Sequence, residues 1–169
     1  MTLLDRLFRP SPDPRDALRP LWDAVIAAAR KPAWYAEAGV ADSVEGRFDM
    51  VVLVLAAVLL RLERGGEGLA GARLTEWFVE DMDGQLRQSG VGDLVVGKHV
   101  GKLMATLGGR IGALREALPA GGAALAQAIE RNTTLVPTAG PEAVAERIAR
   151  LHARLEAMPM PELLAGRLG

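Results

Sequence analysis

The longest apolar stretch, Met50 to Leu60, reads Met-Val-Val-Leu-Val-Leu-Ala-Ala-Val-Leu-Leu, without one polar side chain. As a helix it rises roughly 16 Å, about half of what a bilayer crossing of about 20 residues needs. Charges bracket it closely, with Arg47 and Asp49 before it and Arg61, Glu63 and Arg64 after it. The run is therefore expected to be a buried helix, apolar on every side and covered on every side. Asp42 and Glu45 stand at capping-box spacing ahead of it and Gly65-Gly66 follows, which predicts a helix from Ser43 to Arg64. A buried strand remains the alternative, because short apolar runs separate the two poorly.

Around this axis the apolar positions recur at helical steps. Leu18, Leu21, Trp22, Val25, Ile26 and Ala29 predict a helix over about 15–30, in which Pro20 marks either a kink or the first turn. Pro32 restarts a short piece that carries Trp34 and Tyr35, a plug over the core rather than a ligand platform, and Gly39 closes it. Leu74, Trp77, Phe78, Met82 and Leu86 predict a helix over about 70–89 with Gly90 as its stop. Val96, Val100, Leu103, Leu107, Ile111, Leu114 and Leu118 predict another over 93–118, opened by Asp93 as N-cap. Beyond Leu118, Pro119 and Gly121-Gly122 break the chain, Ala123 to Arg131 forms a short helix and Asn132 to Pro141 a linker. Val144, Ile148, Leu151, Leu155 and Met158 then predict a helix over about 141–157, either packed on the same domain or used for a partner. The expected architecture is all-α: a single helical bundle around the central helix 43–64. Residues 1–14 form a tail, 15–118 a helical core and 119–169 a helical extension.

Two stripes stand outside the core pattern. Glu76, Glu80 and Asp83 lie at i, i+4 and i+7 with Asp81 alongside, and such neighbouring carboxylates repel unless cations are near. On the following helix Gly97, Gly101, Ala105, Gly108 or Gly109, and Gly112 line one side, although each interior glycine costs about 1 kcal/mol against alanine. Close packing on another helix of the same domain and a groove for a foreign helix both account for them. Lys98, His99, Lys102 and Arg110 form a basic side, and the acidic stripe is a plausible mate. At the N-terminus Leu3, Leu4, Leu7 and Phe8 make a small apolar face beside Arg6 and Arg9, which can dock on its own domain or touch lipid.

Composition removes several classes of function. Net charge is −1 over 169 residues, so there is no basic footprint of a nucleic-acid binder. The chain has no cysteine, which removes disulfides, thiolate metal sites and thiol nucleophiles together and fits a reducing compartment. Its N-terminus lacks the apolar core of a secretory signal, and an unexported protein is expected. The two histidines, His99 and His152, sit in no Glu-x-x-His, so a carboxylate-bridged di-metal bundle is not expected. No phosphate-binding loop or Gly-x-Ser-x-Gly elbow occurs, and neither enzyme activity nor a cofactor is expected.

The blocks Trp34-Tyr35, Gly39-Val40-Ala41-Asp42-Ser43, Gly46-Arg47-Phe48-Asp49-Met50, Phe78-Val79-Glu80-Asp81-Met82-Asp83 and Gly90-Val91-Gly92-Asp93-Leu94, leading to Val96-Gly97-Lys98, together resemble the ubiquinol-cytochrome c chaperone family. The likeness runs over roughly Leu21 to Leu118. It implies an all-helical, non-catalytic chaperone that binds newly made cytochrome b during assembly of respiratory complex III. A small partner protein and the ribosome are the further partners it implies. The expected place of work is the bacterial cytoplasm, with peripheral contact at the inner face of its membrane; specific nucleic acid is not expected. The alternative is a helical protein–protein or ribosome-interaction module without chaperone activity. The residues expected to touch a partner are Glu76, Glu80, Asp81, Asp83, Lys98, Gly101, Lys102 and Ala105.

Overall fold

The computed structural model describes residues 13–88 and 96–168, with the backbone alone at 86–88 and 96–98. Among these residues the elements are helical, and the one extended pairing is an isolated antiparallel bridge between Val40 and Leu135. The apolar run lies in α3, Val44–Arg64 by the numbering α1 Arg19–Ala29, α2 Pro32–Ala36, α3 Val44–Arg64, α4 Gly68–Gln88, α5 Val96–Ala120, α6 Gly122–Asn132, α7 Glu142–Ala157 and α8 Met160–Leu164. Every residue from Asp49 to Leu60 is buried, and α3 packs against α1, α4, α5 and α7. Each fully buried Val or Leu of the run contributes about 1.5–3 kcal/mol relative to exposure, so this helix is the thermodynamic centre of the bundle. The strand alternative is excluded.

The cap of α3 falls one residue later than the capping-box spacing suggested. Ser43 Oγ accepts from Gly46 N at 3.1 Å, while Asp42 takes Arg47 Nε at 2.6 Å. Gly46 itself is tightly placed, since a side chain there would collide with the Ala41 carbonyl. Pro20 occupies the first turn of α1, after a short 3-10 turn at Asp16–Leu18, so it starts the helix and does not kink it. Trp34 Nε1 donates to Ala28 O at 2.8 Å and the Tyr35 hydroxyl to Ala29 O at 2.9 Å. The aromatic pair thus satisfies carbonyls at the C-terminal end of α1.

The core extends through Leu74 and Phe78 of α4, whose Phe78 ring meets Trp22 edge-on at 6.3 Å. α5 runs through Pro119 to Ala120, past the break expected there, and its last turn is closed by Gly121 N donating to Ala117 O at 2.9 Å; Gly121, at φ +64°, ends it. The positions expected to stop α4 and cap α5, Ser89, Gly90 and Asp93, lie outside the described residues. Val144, Ile148, Leu151 and Leu155 of α7 are buried in the same core as α3. The short α8 carried no clear pattern in sequence. It turns the chain back so that Gly166, at φ +78°, lies against the Pro20 carbonyl.

Polar side chains fix how these helices sit. Asp49, only 7% exposed, accepts from Arg110 Nη2 at 2.7 Å through one carboxylate oxygen. Its other oxygen takes Thr134 N at 2.8 Å and Thr134 Oγ1 at 2.7 Å. One buried carboxylate therefore ties α3 to α5 and to the connector between α6 and α7. Because Arg110 shares a face with Leu103, Leu107 and Leu114, the pair also sets the rotation of α5. At the other end of α3, Arg61 donates to Leu155 O at 2.9 Å and Met158 O at 3.2 Å, capping the last carbonyls of α7.

Candidate functional site

The rotation of α5 decides what its glycines face. Gly101, Ala105, Gly108 and Gly109 are exposed and Gly112 is half-buried. A Cβ added at Gly101, Gly108, Gly109 or Gly112 would meet nothing within 4 Å. Among the described residues none packs closely on these four glycines, and the stripe from Gly101 to Gly112 is open.

Beside that face a groove of about 620 Å³ runs between α4 and α5. Ala72 and Val79 of α4 and Val100 and Met104 of α5 supply its apolar walls. Met104 is 43% exposed. On the helical wheel of α5, Val100 and Met104 adjoin Gly101, Gly108 and Gly112, so the groove wall continues into the glycine face.

The rim of the groove is acidic. Glu76 and Glu80 are exposed and Asp83 is half-buried, all three lining the groove with Arg15. Arg15 Nη1 reaches Glu80 at 2.7 Å, its Nε lies 3.9 Å from Glu76, and its Nη2 pairs with Asp13 at 2.6 Å. Hydrogen bonds from Arg15 hold the Asp13 carboxyl below its ordinary range, and Asp13 with Glu80 raises the Arg15 guanidinium. Arg15 and Arg19 lie over the Trp77 ring at 5.3 and 4.7 Å from its centre, and the Trp77 Nε1 donates to Arg15 O. Arg15, before α1, thus supplies a cation to Glu76 and Glu80, a role that the sequence did not point to.

Of the partner-contact residues expected from sequence, Glu76, Glu80 and Asp83 meet at one groove. Asp81 turns to the adjoining surface near Trp77 and accepts from Gln85. Gly101, Lys102 and Ala105 are exposed on α5, and the side chain of Lys98 lies outside the described residues. Arg15, Val79 and Met104 were not anticipated, and Val100 was assigned to the core but is half-buried in the groove wall. Met104 could have been found: it stands four residues after Val100, on the edge where the apolar and glycine stripes meet. Among the described residues no cluster of acids and histidines is arranged to hold a metal ion, and no helix is long and apolar enough to cross a membrane.

A helical bundle with a buried axis and an open apolar groove has the form of a binding protein for other chains. Residues 36–168 match the family described as ubiquinol-cytochrome C chaperone, and the chain belongs to that family. The crystal structure of the Cbp3 homolog from Brucella abortus is similar throughout, with a TM-score of 0.77 at 29% identity, covering 98% of this chain and 94% of that one. No curated protein matches the chain. The family match extends well beyond Leu118, where the sequence blocks ended, so α6, α7 and α8 belong to the family's structure as well.

Proposed function

We propose that this protein is an assembly chaperone of respiratory complex III that holds newly made cytochrome b through the α4/α5 groove and the glycine face of α5. Its work is binding, without chemistry on the client. The open glycine stripe is the observation that carries the reading: glycines destabilise a helix, and here none of the described residues uses the space they leave. A glycine face lets a second helix approach closely, as apolar membrane helices do with one another. Val79, Val100 and Met104 offer apolar contact, with Glu76, Glu80 and Asp83 at the rim and the exposed Lys102 on α5 to set orientation. In this reading residues 15–118 carry the client surface and residues 119–168 brace α3 through α7. A small partner protein and the ribosome are proposed as further partners, and the inner face of the cytoplasmic membrane as the place of work.

The test is to fill the face. A Cβ at Gly101 or Gly108 meets none of the described atoms and leucine raises helix propensity, so the variant with Gly101→Leu and Gly108→Leu should be at least as stable as the parent. Its capture of newly translated cytochrome b should fall about tenfold, the equivalent of about 1.4 kcal/mol of lost contact. Undiminished capture by the folded variant would remove this surface from the client site.

A further inference from the structure

One side of α7 fills the core, and the other carries a pattern of its own. Ile148 is fully buried at the middle of the helix, while Glu142, Ala143, Glu146, Arg150, Ala153 and Arg154 are exposed. These six are placed symmetrically about Ile148: Glu146 and Arg150 two positions away, Ala143 and Ala153 five, Glu142 and Arg154 six. At about 100° per residue all six fall within roughly 60° of the direction facing away from Ile148. Reversing the helix end for end therefore returns the same small residues with every charge inverted.

Within one chain this arrangement is only half satisfied. Arg150 pairs with Glu146, and both side chains stay largely exposed, at 58% and 68%. Each of the two also has a neighbour of its own sign one turn away, Glu142 beside Glu146 and Arg154 beside Arg150, and like charges at that spacing repel. The helix dipole favours an acid in the first turn and a base in the last, which accounts for Glu142 and Arg154. It accounts neither for the like-signed neighbours one turn further in nor for the alanines that keep the face low between them.

We infer that the outer face of α7 is a self-association surface, on which a second copy of this chain lies antiparallel across a two-fold axis at the level of Ile148. Glu146 of each copy then meets Arg150 of the other, Ala143 packs beside Ala153, and Glu142 and Arg154 reach across at the edges. An isologous contact needs a patch complementary to itself, and the inverted charge supplies it. The alanines let the two helices approach to about 8 Å, the near end of the usual range. One helix pair makes a small interface, so the association is weak, with a dissociation constant of roughly 10–100 µM. None of the residues lining the α4/α5 groove lies on α7, so the inference stands apart from the client reading.

Sedimentation equilibrium of the full chain from about 5 to about 300 µM, a range that brackets the expected constant, should show the parent passing from monomer to dimer. The chain with Glu142→Arg and Glu146→Arg, whose face is all basic, should self-associate at least about tenfold more weakly, and so should the all-acidic chain with Arg150→Glu and Arg154→Glu. Mixed in equal amounts, these two variants should form a heterodimer at least as tight as the parent dimer. The absence of cysteine allows a second reading that does not depend on the charge variants folding. A mixture of chains carrying Ala143→Cys and chains carrying Ala153→Cys should be joined by a short-arm bismaleimide faster than either chain alone. A parent that stays monomeric over the whole range overturns the inference, as do charge variants that dimerise like the parent, or a cysteine mixture joined no faster than its separate components.

Discussion

Asp49 shows how far a single residue is legible from its neighbours. In sequence it is one of several charges bracketing an apolar run; in the fold it is buried and bonded to Arg110 and Thr134. The signal was present in Arg110, which falls three residues after Leu107 and four before Leu114, inside a core stripe where an unpaired cation would be strongly disfavoured. What sequence could not supply was the pairing across 61 positions. Asp49→Ala should destabilise the fold by about 3–5 kcal/mol in urea unfolding, since it leaves a buried guanidinium without its partner. The double substitution Asp49→Leu with Arg110→Met should lose much less than the single one. A single loss under about 1 kcal/mol would mean that the pair does not hold α5 in place.

Among the elements, the long helices were the most legible, because their apolar stripes have to face one shared core. Leu74 and Phe78 of α4, Leu103, Leu107 and Leu114 of α5, and Ile148 and Leu151 of α7 are all buried. Helix ends were less so: Asp42 and Ser43 both cap well, and only the fold shows that Arg47 takes Asp42 while Ser43 takes the backbone. The glycines of α5 were visible as a stripe, yet close packing and open exposure leave the same sequence trace. Their openness now has a measurable consequence. Gly101→Ala and Gly108→Ala should each raise stability, by about 0.5–1 kcal/mol, because alanine fits the space and the unfolded chain loses freedom. Destabilisation by either would reveal a tight backbone contact that the fold does not show.

For the whole molecule, family and architecture were readable while the binding surface was only partly so. The blocks around α3 and α4 identified the family, and the buried run identified the axis. The groove needed tertiary structure, because Arg15, Val79 and Met104 come from three separated stretches and meet only once α3 has drawn α4 and α5 together.

The central claim is that this bundle serves complex III by holding cytochrome b on its α4/α5 face. It is tested most directly by deleting the gene in the source organism and recording membrane haem b spectra with complex III activity. Both should fall sharply, return with the parent chain, and stay low with the chain carrying Gly101→Leu and Gly108→Leu. Normal haem b and normal complex III activity in the deletion strain would contradict the account.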